Sequence, residues 1–209
     1  MLAHPSSRWR VLVVAGGLTY FIGAFFHPRD GGIGAMLVNP AWVPSHAAVL
    51  LGVVLIILGL VAFRRAVPRS PTMGRWLAAT IALGVVQAVE MALHTMAWVD
   101  AAALPDGAFH AGLRTPVLTS HIWLSTIAFT PFAVAFLGLI WTGARERSLG
   151  SFWFLWVGVI GALAYGSVMW LVFIADMPGA GILFPVAHLA VPLWFILAGL
   201  RGSGRATAA

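Results

Sequence analysis

Residues 47–65 read AAVLLGVVLIILGLVAFRR. From Ala47 to Phe63 no side chain carries a charge, and the Arg64-Arg65 pair then closes the run. Backbone N–H and C=O groups in hydrocarbon find no water, so a crossing segment must satisfy them internally, as an α-helix does. About 20 residues of helix cross roughly 30 Å of hydrocarbon, which this run with its flanks can supply. The period-2 alternation of a membrane β-strand is absent.

Working outward, comparable apolar stretches recur at 9–26, 75–99, 117–142, 152–175 and 182–200. Together they predict an all-α, polytopic membrane protein: a six-transmembrane-helix bundle forming one domain over residues 1–209. The composition agrees, with 61% hydrophobic residues, 9% charged residues and a mean hydropathy of +0.96. A soluble domain carries about a quarter charged residues. No stretch is left for a separate soluble catalytic domain. Arg8 and Arg10 precede the first run, which ends at Phe25-Phe26-His27-Pro28 without a small-residue cleavage site, so it reads as a retained helix and not a signal peptide.

The formal net charge is +6, and all 12 basic residues are arginine. They cluster at Arg8 and Arg10, at Arg64, Arg65, Arg69 and Arg75, at Arg145 and Arg147, and at Arg201 and Arg205. Those connectors are expected on the cytoplasmic side of a bacterial-type inner or plasma membrane, with both termini inside. Topology accounts for the basic excess, so no nucleic-acid partner is needed. The opposite connectors hold Asp30, Asp100, Asp106 and Asp176, with Arg29 and Arg114 as their bases. Without lysine there is no Schiff base. Without cysteine there are no disulfides, thiolate metal sites, iron–sulfur clusters or covalent haem attachment.

Placing the histidines on this topology is the informative step. His27, His46, His94, His121 and His188 all fall toward the outer ends of the predicted spans, His110 falls in an outer loop, and His4 alone is cytoplasmic. Pairing His27 with His46, His94 with His121 and Asp176 with His188 suggests three helical-hairpin repeats. Glu90 lies about two turns below the outer end of its span, where a carboxylate is costly unless paired, protonated or bound to a cation. Gln87, Glu90 and His94 share one helix face, as do His121 and Ser125, while Tyr165, Met169 and Asp176 fall near one face of the next span. Each histidine alone reads as an interfacial residue bonded to a carbonyl or headgroup. Their common depth, with no polar counterpart at the inner ends, points to a metal or cofactor site.

Three functions compete on these residues. The first is a b-type cytochrome in membrane electron transfer, with haem b held by His94 and His188, or by His46 and His121. Arg29 and Arg114 would meet its propionates, glycines in the first and fifth spans would admit the ring, and Glu90 would move protons for a quinone or redox partner. The second is a non-haem metalloenzyme holding Zn, Fe or Cu through His27, His46, His94, His121, His188 and Glu90 or Asp176. It would act on a lipid or another membrane-soluble substrate, with Glu90 as its catalytic group. The third is a non-enzymatic accessory subunit or transporter component, alone, as a homo-oligomer or within a larger membrane complex. Trp9, Trp42, Trp98, Trp141 and Trp153 near the span ends read as interfacial anchors, and Pro131 and Pro192 as kinks. Gly158, Gly161 and Gly166 allow either close helix approach or room for a flat ligand.

Overall fold

A computed structural model describes residues 8–29, 32–103, 115–149 and 151–202. The described residues are helical throughout their regular structure: α1 (Arg8–Phe25), α2 (Gly32–Val38), α3 (Trp42–Ala66), α4 (Pro71–Met96), α5 (Pro116–Arg145), α6 (Leu155–Met169) and α7 (Leu183–Arg201). A 3-10 turn, Ala97–Ala103, extends α4, and a π-helical turn, Trp170–Ile174, extends α6. Five stretches are long and apolar enough to cross a membrane: Trp42–Ala66, Pro71–Ala102, Pro116–Arg145, Leu155–Ile174 and Pro178–Arg201. The protein is thus a helical membrane protein. α1 opens on Arg8 and Arg10, is shorter, and is not among the five.

The long helices close into a ring. α1 packs on α3, α3 on α4, α4 on α5, α5 on α6, α6 on α7, and α7 back on α1. One end of the bundle carries Arg64 and Arg65 in the last turn of α3, Arg145 in that of α5 and Arg201 in that of α7. The Arg10 guanidinium donates to the Gly202 carbonyl at this same arginine end, joining the start of α1 to the exit of α7. Large apolar side chains such as Ile22, Leu58, Ile127, Trp156 and Leu163 remain exposed on the outside of the ring, the pattern expected of a surface solvated by acyl chains.

The α1–α3 seam explains how these two helices approach so closely. A Cβ on Gly16 would meet the Gly52 carbonyl at 2.8 Å, one on Gly23 the Ser45 carbonyl at 2.5 Å, and one on Gly52 the Tyr20 nitrogen at 2.6 Å. Helices in lipid gain from such backbone contact because acyl chains offer them no hydrophobic drive to associate. Gly158 and Gly161 likewise face Trp194 and the Val191 backbone, and Gly166 faces Ala133. Close helix approach, and not a slot for a flat ligand, is the use these glycines serve.

Helix ends are satisfied across the bundle. Ser70 caps α4, accepting from Met73 N at 3.2 Å, with Pro71 at the first helical position. Glu146, just beyond α5, accepts from the Ser70 hydroxyl and from Ser70 N. At the other end, Asp100 accepts from Leu118 N at 2.7 Å in the first turn of α5. Each carboxylate thus meets the positive end of a helix dipole.

Two expectations about tryptophans change. Trp9 and Trp42 are buried, at 0% and 1% exposure, whereas Trp98, Trp141 and Trp153 are exposed as interfacial anchors should be. α3 begins at Trp42 and not near residue 47, so His46 sits a full turn inside the helix.

Candidate metal centre

At the end of the bundle opposite the arginines, His27, His46, His94, His121 and Glu90 come together. His27 follows the end of α1, His46 lies in α3, Glu90 and His94 in α4, and His121 in α5. Two ligand sets result: His27, His46 and His94, and Glu90, His94 and His121. Within each, ligand atoms lie within 4.8 Å of one another. The rings are in contact, with centroids 4.7 Å apart for His27 and His46, 4.3 Å for His46 and His94, and 3.9 Å for the stacked pair His94 and His121.

Hydrogen bonding orients the donors. His46 Nδ1 lies 2.6 Å from the Trp42 carbonyl and so carries the proton, which leaves Nε2 as a lone-pair donor. That Nε2 is buried and has no hydrogen-bond partner. An imidazole tied to a backbone carbonyl through one nitrogen, with the other free, is the arrangement metal-ligating histidines adopt. The Trp42 ring packs on His46 with centroids 4.1 Å apart and on His94 at 5.1 Å.

Glu90 is completely buried. Its Oε1 lies 2.6 Å from His121 Nδ1 and accepts from the Ser125 hydroxyl at 2.7 Å, while Oε2 has no partner. A buried acceptor left unpaired costs about 1–3 kcal/mol, and more when charged. A cation bound there would offset that cost.

Other anticipated residues lie elsewhere. His188 pairs through Nδ1 with the Tyr20 hydroxyl at 2.8 Å and belongs to neither ligand set. Arg29 reaches back to the Ala24 carbonyl at the end of α1. Asp176 is exposed, at a positive φ of 51° just beyond the π-helical turn. Arg114, His110, Asp30, Asp106 and His4 lie outside the described residues. Trp42 and Tyr20 were missed as neighbours of the polar groups. The signal for Trp42 was its spacing, four residues before His46 on one helix face.

One turn of α4 below Glu90, Gln87 lines a cavity to which all six long helices contribute, with Tyr20, Ile56, Phe132, Tyr165 and Val191 in its wall. Tyr165 donates to Gln87 Oε1 at 2.8 Å, and Gln87 Nε2 is buried without a partner. Neither a protein-family model, nor a curated protein, nor a solved structure matches this chain.

Proposed function

We propose that this protein binds transition metal inside the membrane, at the cluster formed by the imidazoles of His27, His46, His94 and His121 and the carboxylate of Glu90. The observation that carries this reading is the pair of buried, unpartnered ligand atoms, His46 Nε2 and Glu90 Oε2, each within a cluster of potential ligands. Imidazole with a single carboxylate suits Zn, Fe or Cu and not Mg or Ca, which prefer all-oxygen sites.

Geometry favours the non-haem reading over haem b. Two axial imidazoles approach haem iron end-on from opposite faces, with the macrocycle between them. Here the rings of His46, His94 and His121 pack directly on one another, with centroids 4.3 and 3.9 Å apart, which leaves no gap for a macrocycle between them. The cavity beside Gln87, one turn from Glu90, measures about 30 Å³, room for little more than a water-sized molecule, so the reading rests on the ligand cluster and not on a substrate pocket.

In this reading α1 is a sixth crossing, because it completes the ring and spans the distance from Arg10 to His27. The arginine end faces the cytoplasm, which puts the histidines beneath the outer surface. Metal analysis and an absorption spectrum of tag-free purified protein test the proposal together. Bound zinc, iron or copper without a Soret band is expected. A Soret band moves the assignment to haem, and a chain free of both metal and haem leaves an accessory subunit.

A further inference from the structure

The cluster divides rather than converging on one point. His27 and His46 belong to one set and Glu90 and His121 to the other, while His94 belongs to both. Each set is equipped separately. In the first, His46 is oriented by the Trp42 carbonyl and keeps Nε2 unpartnered. In the second, His121 is oriented through Nδ1 by Glu90 Oε1, with Ser125 alongside, and Glu90 keeps Oε2 unpartnered. A single ion drawing on either set would leave the other's buried ligand atom unpaired, in a setting where lipid and packed helices exclude water.

Resting on the metal-binding reading, we infer that the site holds two metal ions side by side, with His94 between them. His27, His46 and His94 hold the first ion, and His94, His121 and Glu90 hold the second. An imidazole has a nitrogen on each side of its ring. The His94 ring can bind one cation through each nitrogen when its one N–H proton leaves with the water that the second, entering cation sheds, and no electron transfer is involved. The two positions differ in chemistry. The first offers only imidazoles, whereas the second includes a carboxylate that lowers the net charge of its ion.

Zinc titration of the tag-free, chelator-treated protein in lipid nanodiscs, followed by desalting and elemental analysis, tests this. The wild type should retain about two zinc ions per chain, each on three protein donors with a fourth position open. His46→Gln should retain about one, as should His121→Gln, because each removes a donor from one set only. His94→Gln should fall below one, since it strips a ligand from both. Tryptophan fluorescence and size-exclusion elution matching the wild type confirm that each variant is folded. With Cu2+ in place of zinc, the doubly loaded wild type should lose EPR intensity per copper relative to His46→Gln, through coupling across the His94 ring. One zinc per wild-type chain, abolished alike by His46→Gln and His121→Gln, overturns the two-ion inference and leaves a single metal site. No retained zinc in the wild type overturns the metal reading itself.

Discussion

Ser125 shows how much the site depends on groups that need not touch a metal. Its hydroxyl donates to Glu90 Oε1 at 2.7 Å and lies 3.2 Å from His121 Nδ1. Ser125→Ala should therefore weaken metal binding by about 10–100-fold, the usual cost of losing an outer-shell partner, while leaving the fold intact. Competition with a chelator measures this, and an unchanged affinity would show that Glu90 and His121 are held without it. Tyr20→Phe provides the contrast. It strips the Tyr20 hydroxyl from His188 Nδ1, a bond at 2.8 Å, and should lower stability by about 1–3 kcal/mol. Metal content should not change, because neither residue belongs to a ligand set. At this scale the sequence was legible in depth and not in azimuth. Counting residues from the span ends placed the five intramembrane histidines at one level, and four of them do meet. It could not say that His188 turns toward Tyr20, since the direction a side chain faces is set by how α7 packs on α1. Trp42 was misread because an indole at a span end gives the same pattern whether it faces headgroups or, as here, a cluster of imidazoles.

Among the elements, the α1–α3 pair bears the tightest constraint, because it holds His27 against His46 across a seam of glycines. Gly52→Ala places a methyl group 2.6 Å from the Tyr20 nitrogen and 2.7 Å from the Gly16 carbonyl, so the helices must separate. A loss of about 1–3 kcal/mol is expected from such overpacking, with metal affinity falling alongside it. Gly179→Ala, with nothing within 4 Å of its added methyl group, should be neutral in the same thermal-unfolding assay. Asp100→Ala removes the acceptor for Leu118 N at the start of α5, and should cost about 0.5–2 kcal/mol, the value of a helix cap. Long helices were readable from hydropathy because lipid leaves the backbone no other way to pair its polar groups. The short α2 and the π-helical turn at Trp170–Ile174 were not, since both are too brief for a periodic pattern. The hairpin of α6 and α7 adds no residue to the candidate ligand sets, to which the other two contribute: Asp176 is exposed and His188 is bonded to Tyr20.

For the whole molecule, the ring of helices separates an arginine end from a histidine end, and that polarity should fix its orientation in the bilayer. The chain has no cysteine, so single cysteines report on sidedness without background. A cysteine at exposed Met177 should react with an impermeant maleimide on intact cells, and one at Arg147 only after lysis; the reverse would invert the topology. Whether imidazoles from three helices and the α1 exit meet on metal can be read from X-ray absorption at the edge of whichever metal copurifies. A first shell of nitrogen and oxygen alone is expected, with strong imidazole scattering that weakens in His94→Gln. A metal-free protein, or a shell containing methionine sulfur and no imidazole signature, would contradict convergence on metal.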